Sequence, residues 1–259
     1  MADVVQWGEG IVRSTRELSA DIRLIEIAPA CGFITPSPGS HVKIGVLIGG
    51  RLQTRCYSLV GPCADGVYCI AVKRLKQSRG GSAYMWTLRE GALLSISLPC
   101  NDFELALDRP EYLLLAGGIG ITPIFSHALA LARARASFRL LYAYHGFRDA
   151  ALVAELEQAI GDSLRLFVAE HGARVDISAA IKNLDPLGEF YVCGPIGMLE
   201  EAKKAWRDSG RPIERLRFET FGNSGHRPSV AFTVQIPRLG KEIKVDTNQT
   251  LLEALEAAN

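Results

Sequence analysis

No Cys-x-x-Cys pair occurs in the 259 residues; the six cysteines, Cys31, Cys56, Cys63, Cys69, Cys100 and Cys193, are scattered. That spacing excludes a zinc or iron-sulfur site built from them, so no metal ligand is expected in this chain. Scattered cysteines read as small buried hydrophobes, and only Cys193 has a suggestive setting. There is no charge excess: 29 Lys and Arg stand against 28 Asp and Glu, interspersed, for a net charge of +1. A nucleic-acid partner is therefore excluded, since it would call for basic residues concentrated on one face. No stretch of about 18 apolar residues is present, and residues 1–10 lack a basic segment leading into an apolar one. A cytoplasmic protein without a membrane partner is expected, as a monomer. What is present, 48% hydrophobic and 22% charged residues, suits an ordinary globular chain long enough for two domains.

Residues 113–124 read Leu-Leu-Leu-Ala-Gly-Gly-Ile-Gly-Ile-Thr-Pro-Ile. An apolar run without alternation predicts a strand covered on both faces, followed by a glycine turn and a helix with Thr122 as N-cap and Pro123 in its first turn. Gly117, Gly118 and Gly120 allow close backbone approach, and the helix N-terminus, with roughly +0.5 charge, favours a phosphate or pyrophosphate. A tight connection without ligand would give the same turn, and the spacing is not the usual dinucleotide fingerprint.

Residues 1–108 show short alternating segments at 4–17, 21–28, 41–47, 53–60, 67–74 and 93–98, as an antiparallel barrel or sandwich would. A helix is expected after Gly80-Gly81-Ser82, capped by Ser82. Arg55-Cys56-Tyr57-Ser58 gathers a cation, a ring and a hydroxyl suited to a phosphorylated ring system, or is an unremarkable barrel strand. Lys73 opens a basic stretch leading to Gly80, a second phosphate cradle or a solvated hairpin. From 110 onward, strands (138–143, 164–169, 190–193, 216–221) alternate with helices (149–160, 177–183, 196–208), which indicates a doubly wound parallel sheet. Cys193-Gly194-Pro195 repeats the strand, turn and helix pattern, so both turns should open at the carboxyl edge of that sheet.

Arg55-x-Tyr57-Ser58, Gly80-Gly81-Ser82, Gly117-Gly118-x-Gly120-x-Thr122-Pro123, Cys193-Gly194-Pro195 and Glu219-Thr220-Phe221 stand in the order and spacing of the ferredoxin-reductase superfamily. More narrowly, the chain resembles the phthalate dioxygenase reductase and vanillate demethylase reductase group over essentially its whole length. The resemblance implies an antiparallel β-barrel flavin domain over 1–108 and an α/β doubly wound NAD-binding domain over 109–225. Over 226–259 it implies a linker and the start of a β-grasp, plant-type ferredoxin domain. Arg55, Tyr57 and Ser58 would contact FMN, with Gly80, Gly81, Ser82 and Lys73 at its phosphate. Gly117, Gly118, Gly120, Thr122, Gly194 and Pro195 would line the NADH site, with Cys193 near the nicotinamide, Phe221 near the flavin ring and Arg148 at the adenosine ribose. Ser58 and Cys193 would form the catalytic pocket, shaping it rather than making or breaking bonds.

The resemblance further implies NADH-dependent electron transfer through FMN and a [2Fe-2S] cluster to a Rieske-type oxygenase. Residues 1–259 stop before any Cys-x4-Cys-x2-Cys loop, so the cluster is expected only in a longer chain; a two-domain flavoprotein with a vestigial tail is the alternative. Two other readings stand beside this one: a reductase for a separate ferredoxin, free flavin or haem protein, and a flavin-binding electron-transfer subunit without catalysis of its own.

Overall fold

The structure, a computed structural model, describes residues 6–30, 32–61, 66–75, 78–221, 230–247 and 249–258. Val4, Val5, Cys31, Cys63, Lys76, Gln77 and the linker at 222–228 lie outside the described residues.

Six strands, β1 (Trp7–Ser19), β2 (Ile22–Pro29), β3 (His41–Ile48), β4 (Arg51–Ser58), β5 (Tyr68–Lys73) and β6 (Leu93–Ser97), pair antiparallel in the order β4-β3-β6-β1-β2-β5. Helix α1 (Gly81–Thr87) lies between β5 and β6 in the chain. Just past β4, a Leu59–Ile70 bridge joins the two outer strands, so the sheet closes on itself. Val12, Ile25, Val42, Ile44 and Ile70 fill the interior and Met85 of α1 covers it, each fully buried. Such side chains contribute about 1.5–3 kcal/mol apiece.

The second sheet is parallel, in the order β11-β10-β7-β8-β9. Its strands are β7 (Tyr112–Gly117), β8 (Phe138–Tyr144), β9 (Leu164–Val168), β10 (Glu189–Cys193) and β11 (Leu216–Glu219). They alternate with α2 (Ile121–Arg133), α3 (Val153–Ile160), α4 (Ile177–Lys182) and α5 (Ile196–Asp208). β7 is buried along its whole length, as its unbroken apolar run predicts. Glu189, fully buried, is neutralised by Arg109 Nε and Arg217 Nε, each 3.0 Å from one of its oxygens. An unpaired carboxylate there would be strongly destabilising.

Barrel and parallel sheet belong to one compact unit, Met1–Phe221. His127 of α2 stitches them together, its Nε2 lying 2.9 Å from the Phe103 carbonyl. Burial pushes its pKa down to about 4, so the ring is neutral. Gly39 admits this contact, because a Cβ there would come within 2.1 Å of Phe103 O.

Local signals misplace three features. Ser82 does not cap α1; Gly80 does, at φ 92, where a side chain would be strained and would meet Ile48 at 2.7 Å. Thr122 does not cap α2, because a 3-10 turn at Gly118–Gly120 intervenes and its hydroxyl bonds Ile119 O from within the helix. The helix expected over 149–160 is broken: Phe147–Asp149 forms a 3-10 turn, and α3 follows Leu152, which has φ 60. Leu152 is buried in the core and Ala151 N donates to the Tyr142 hydroxyl, so tertiary packing overrides the helical pattern. Of the described cysteines, Cys193 and the disulfide-bonded Cys69 are buried, Cys100 is intermediate and Cys56 is exposed.

Gly222–Asn259 forms a second unit. It holds the hairpin of β12 (Phe232–Ile236) and β13 (Lys241–Val245), then α6 (Leu251–Ala257). A capping box starts α6, with Thr250 and Glu253 each accepting from the other's backbone N–H. Among the described residues no helix is long and apolar enough to cross a membrane.

Candidate active site

β7 and β10 are neighbours with Ala116 opposite Cys193, so the two glycine turns emerge side by side at one sheet edge. They pack on each other. A Cβ on Gly117 would lie 2.5 Å from Pro195 Cδ, one on Gly120 would lie 2.3 Å from Cys193 O, and one on Gly194 would lie 3.1 Å from Gly117 Cα. Turn-on-turn contact by itself thus requires glycine at these three positions. Gly118 differs: it has φ +52 and a Cβ there would face open space. A ligand can approach the backbone at Gly118.

The segment just past β4 lies against α2, since Gly61 packs on Phe125 with room for no side chain. Arg55 runs along the first turn of α1, where a Cβ on Gly81 would be 2.8 Å from its Nε. Two of its N–H groups bond Thr54 O and Gln53 Oε1, at 2.9 and 2.8 Å. Arg55 and the Gly80-Gly81 turn are therefore together. Tyr57 packs against the barrel core, and burial pushes its hydroxyl up to about 12 against the opposing effect of Arg55. Ser58 is 5% exposed and its hydroxyl has no hydrogen-bond partner. Leaving such a group unsatisfied costs about 1–3 kcal/mol, so the hydroxyl fits a ligand heteroatom. Ser82 Oγ is already engaged, donating to Ser78 Oγ and accepting from Leu75 N.

Sequence reasoning placed no role on Glu219, yet it ends β11 directly opposite Cys193. Burial first, then the charge of Asp102, push its carboxyl up to about 7, and its Oε2 is buried without a partner. Burial, reinforced by Glu219, also holds the Cys193 thiol well above its ordinary value, so it is a neutral thiol and not a nucleophile. The Glu219 charge reaches Cys56 of β4 as well, which shows how near the barrel strand comes to this sheet edge. Phe221, beyond β11, has an exposed ring. The only sequence signal for Glu219 was its place at the head of Glu219-Thr220-Phe221; burial could not be read there.

A pH effect follows from that carboxyl. Because it binds its proton more tightly folded than unfolded, its stabilisation is complete below about pH 4.5 and is lost as pH rises through about 7. In flavin-free protein, the melting temperature of wild type relative to Glu219→Gln should fall across that window. A difference that does not change with pH would show that Glu219 does not titrate there.

Lys73 and Arg148 are both engaged by carboxylates. Lys73 Nζ pairs with Asp149 Oδ1 at 2.5 Å, and Arg148 Nε with Asp21 Oδ2 at 3.2 Å. At the carboxyl edge of β8 and β9 stand His145 and Glu170, 3.2 Å apart and exposed. Glu170 packs on Gly146, where a Cβ would sit 2.2 Å from its Oε2.

A closed antiparallel barrel that carries a cation and an orphaned hydroxyl on β4, joined to a doubly wound parallel sheet with paired glycine turns at one edge, has the architecture of the two-domain reductases. Tetrachlorobenzoquinone reductase of Sphingobium chlorophenolicum is 37% identical over 265 residues, covering 98% of this chain and 81% of that protein. Phthalate dioxygenase reductase of Burkholderia cepacia is 31% identical over 264 residues, covering 96% and 79%. A solved phthalate dioxygenase reductase, described as modular for electron transfer from pyridine nucleotides to [2Fe-2S], superposes with a TM-score of 0.78 at 29% identity, covering 98% of this chain and 80% of that one. No protein-family model matches the chain. The chain belongs to the phthalate dioxygenase reductase family and is an oxidoreductase.

Proposed function

We propose that this protein is an NADH-dependent FMN oxidoreductase, the reductase component that delivers electrons from NADH to a Rieske-type aromatic oxygenase or demethylase. The exit route in a longer chain is a [2Fe-2S] cluster. The observation that carries the reading is the buried, unpartnered Ser58 hydroxyl on the strand that presents Arg55 beside the Gly80-Gly81 turn. Domain limits of 1–108, 109–225 and 226–259 accompany it.

The residues present fit both cofactors. Arg55 has N–H donors to spare for an anion, and the Gly80-Gly81 turn holds it in place. Ser58 offers a hydroxyl that nothing else uses, and Gly118 leaves its backbone open to a nucleotide. Cys193, buried at the end of β10, is a neutral thiol suited to shaping the pocket rather than reacting in it. A bound flavin supplies two-electron acceptance and one-electron release; the protein's contribution is to position and to exclude water. FMN is favoured over FAD because the sequence supplies one cradle for its phosphate and none evident for an adenine. Stopped-flow mixing with NADH should bleach the flavin, and chromatography of the released cofactor should give FMN. Absence of bleaching overturns the reading, and recovery of FAD overturns its cofactor.

NADH rather than NADPH is supported by charge. Arg148 is occupied by Asp21, while Glu170, with one oxygen 3.2 Å from His145 Nδ1, presents an exposed carboxylate at the edge where the adenosine ribose binds in sheets of this kind. Repulsion of a 2′-phosphate at so exposed a site is worth about 1–2 kcal/mol, roughly tenfold. Glu170→Ser should narrow the NADH to NADPH ratio of kcat/KM by about that factor. An unchanged ratio would remove Glu170 from the specificity argument.

A second reading has one observation in its favour, the 37% identity to a quinone reductase. In that case residues 1–259 alone would couple NADH oxidation to stoichiometric reduction of a small quinone.

A further inference from the structure

The loop between β8 and α3 is tied to the barrel, and we infer that Lys73 and Asp149, seconded by Arg148 and Asp21, form an ionic strap that sets where the dinucleotide lies relative to the flavin. Lys73 is then a positioning residue, not a phosphate ligand. The inference rests on the proposed function, because it concerns the register of that nucleotide.

Four links fix this loop. Within the parallel-sheet layer, the Tyr142 hydroxyl accepts from Ala151 N at 3.0 Å. Three links cross to the barrel: Ser19 Oγ donates to Arg148 O at 2.8 Å, Arg148 pairs with Asp21 at 3.2 Å, and Lys73 pairs with Asp149 at 2.5 Å. The barrel partners come from one corner. Lys73 stands opposite Ile22 in register, and Arg74 N bonds Asp21 O at 2.7 Å. The strap therefore pulls against a rigid point.

Exposure decides which pair matters. The side chains of Lys73 and Asp149 are 27% and 26% exposed, whereas Arg148 is 73% exposed and the outlying Arg16–Glu155 pair is 59% and 40% exposed. Exposed pairs are screened and contribute little, so most of the restraint falls on Lys73 and Asp149. Their effect on the loop is local and specific: Asp149 ends the 3-10 turn that follows Gly146, and Leu152 holds φ 60 three residues on.

The functional consequence comes from where the loop begins. His145 and Gly146 lie at the carboxyl end of β8, beside Glu170, and a dinucleotide bound across a doubly wound sheet must reach from this edge to Gly118. Fixing the loop to the barrel fixes one end of the nucleotide against the domain that holds the flavin. A displacement of about 1 Å in such a reaction costs on the order of a hundredfold in rate.

The test is single-turnover flavin reduction of holoprotein by NADH. In K73M and in D149N the limiting rate at saturating NADH should fall about tenfold or more, with flavin occupancy and melting temperature near wild type. K73R should restore most of the rate, and the swap K73D/D149K should recover part of it. A phosphate-ligand role predicts otherwise: K73M would lose flavin or raise the apparent Kd for NADH at an unchanged limiting rate, while D149N would free Lys73 and tighten binding. Either result overturns the strap, as does a limiting rate within twofold of wild type in both variants. If K73M fails to fold, D149N and the swap decide. Wild type that is not bleached by NADH would instead overturn the proposed function itself.

Discussion

Arg55→Ala should be purified largely without flavin, while Arg55→Lys should retain an intermediate amount. The guanidinium lies along the first turn of α1 and spends two of its five donors on Thr54 O and Gln53 Oε1, which fixes its plane and leaves the rest for an anion. Hydrogen bonds to charged groups contribute about 1.5–3 kcal/mol each, so losing two would weaken flavin binding by roughly a hundredfold to ten-thousandfold. Lysine keeps the charge but not the planar fork, hence the intermediate result. The ratio of flavin absorbance to protein reads the outcome directly. Full occupancy in Arg55→Ala would move the flavin phosphate away from this strand.

Residues 1–259 should let NADH reduce ferricyanide at a substantial rate yet support only a small fraction of Rieske-oxygenase turnover. Ferricyanide is small and collects electrons singly from any accessible donor, so it needs only the flavin and the nucleotide site. An oxygenase docks as a protein and needs an exit centre close to its own. The six cysteines of this sequence lack the plant-type spacing, and among the described residues no group of three or more His, Cys, Asp or Glu is placed to hold a metal. Fusing a family-type ferredoxin domain after residue 259 should restore oxygenase turnover without changing the ferricyanide rate. Oxygenase turnover by 1–259 at the fused protein's rate would mean that electrons leave directly from the flavin or through a centre carried by the partner.

The sequence by itself determined whatever depends on neighbours along the chain. The unalternating run at 112–116 reads as a strand buried on both faces, and β7, which extends one residue further, is one. Alternation before residue 98 and strand-helix succession after 110 specified an antiparallel and a parallel sheet, and two strand-ending glycine turns had to open at the same edge. Thr250 and Glu253 specified the start of α6, because a capping box is complete within four residues.

Tertiary structure decided what depends on partners far off in the chain. Ser82 and Thr122 are good caps by residue type, but the positive φ of Gly80, packed on Ile48, and the 3-10 turn at Gly118–Gly120 put the helix starts elsewhere. Gly117, Gly120 and Gly194 read in sequence as glycines that admit a ligand, and only the tertiary structure adds that the two turns pack on each other with no room for a side chain. Lys73 and Arg148 carry the right charge for phosphate, yet carboxylates 76 and 127 positions away in the chain hold them. Glu219 looks like a surface acid at a strand end until burial beside Cys193 raises its pKa. Charge and burial are properties of surroundings, and a residue's surroundings are assembled from segments that the sequence keeps apart.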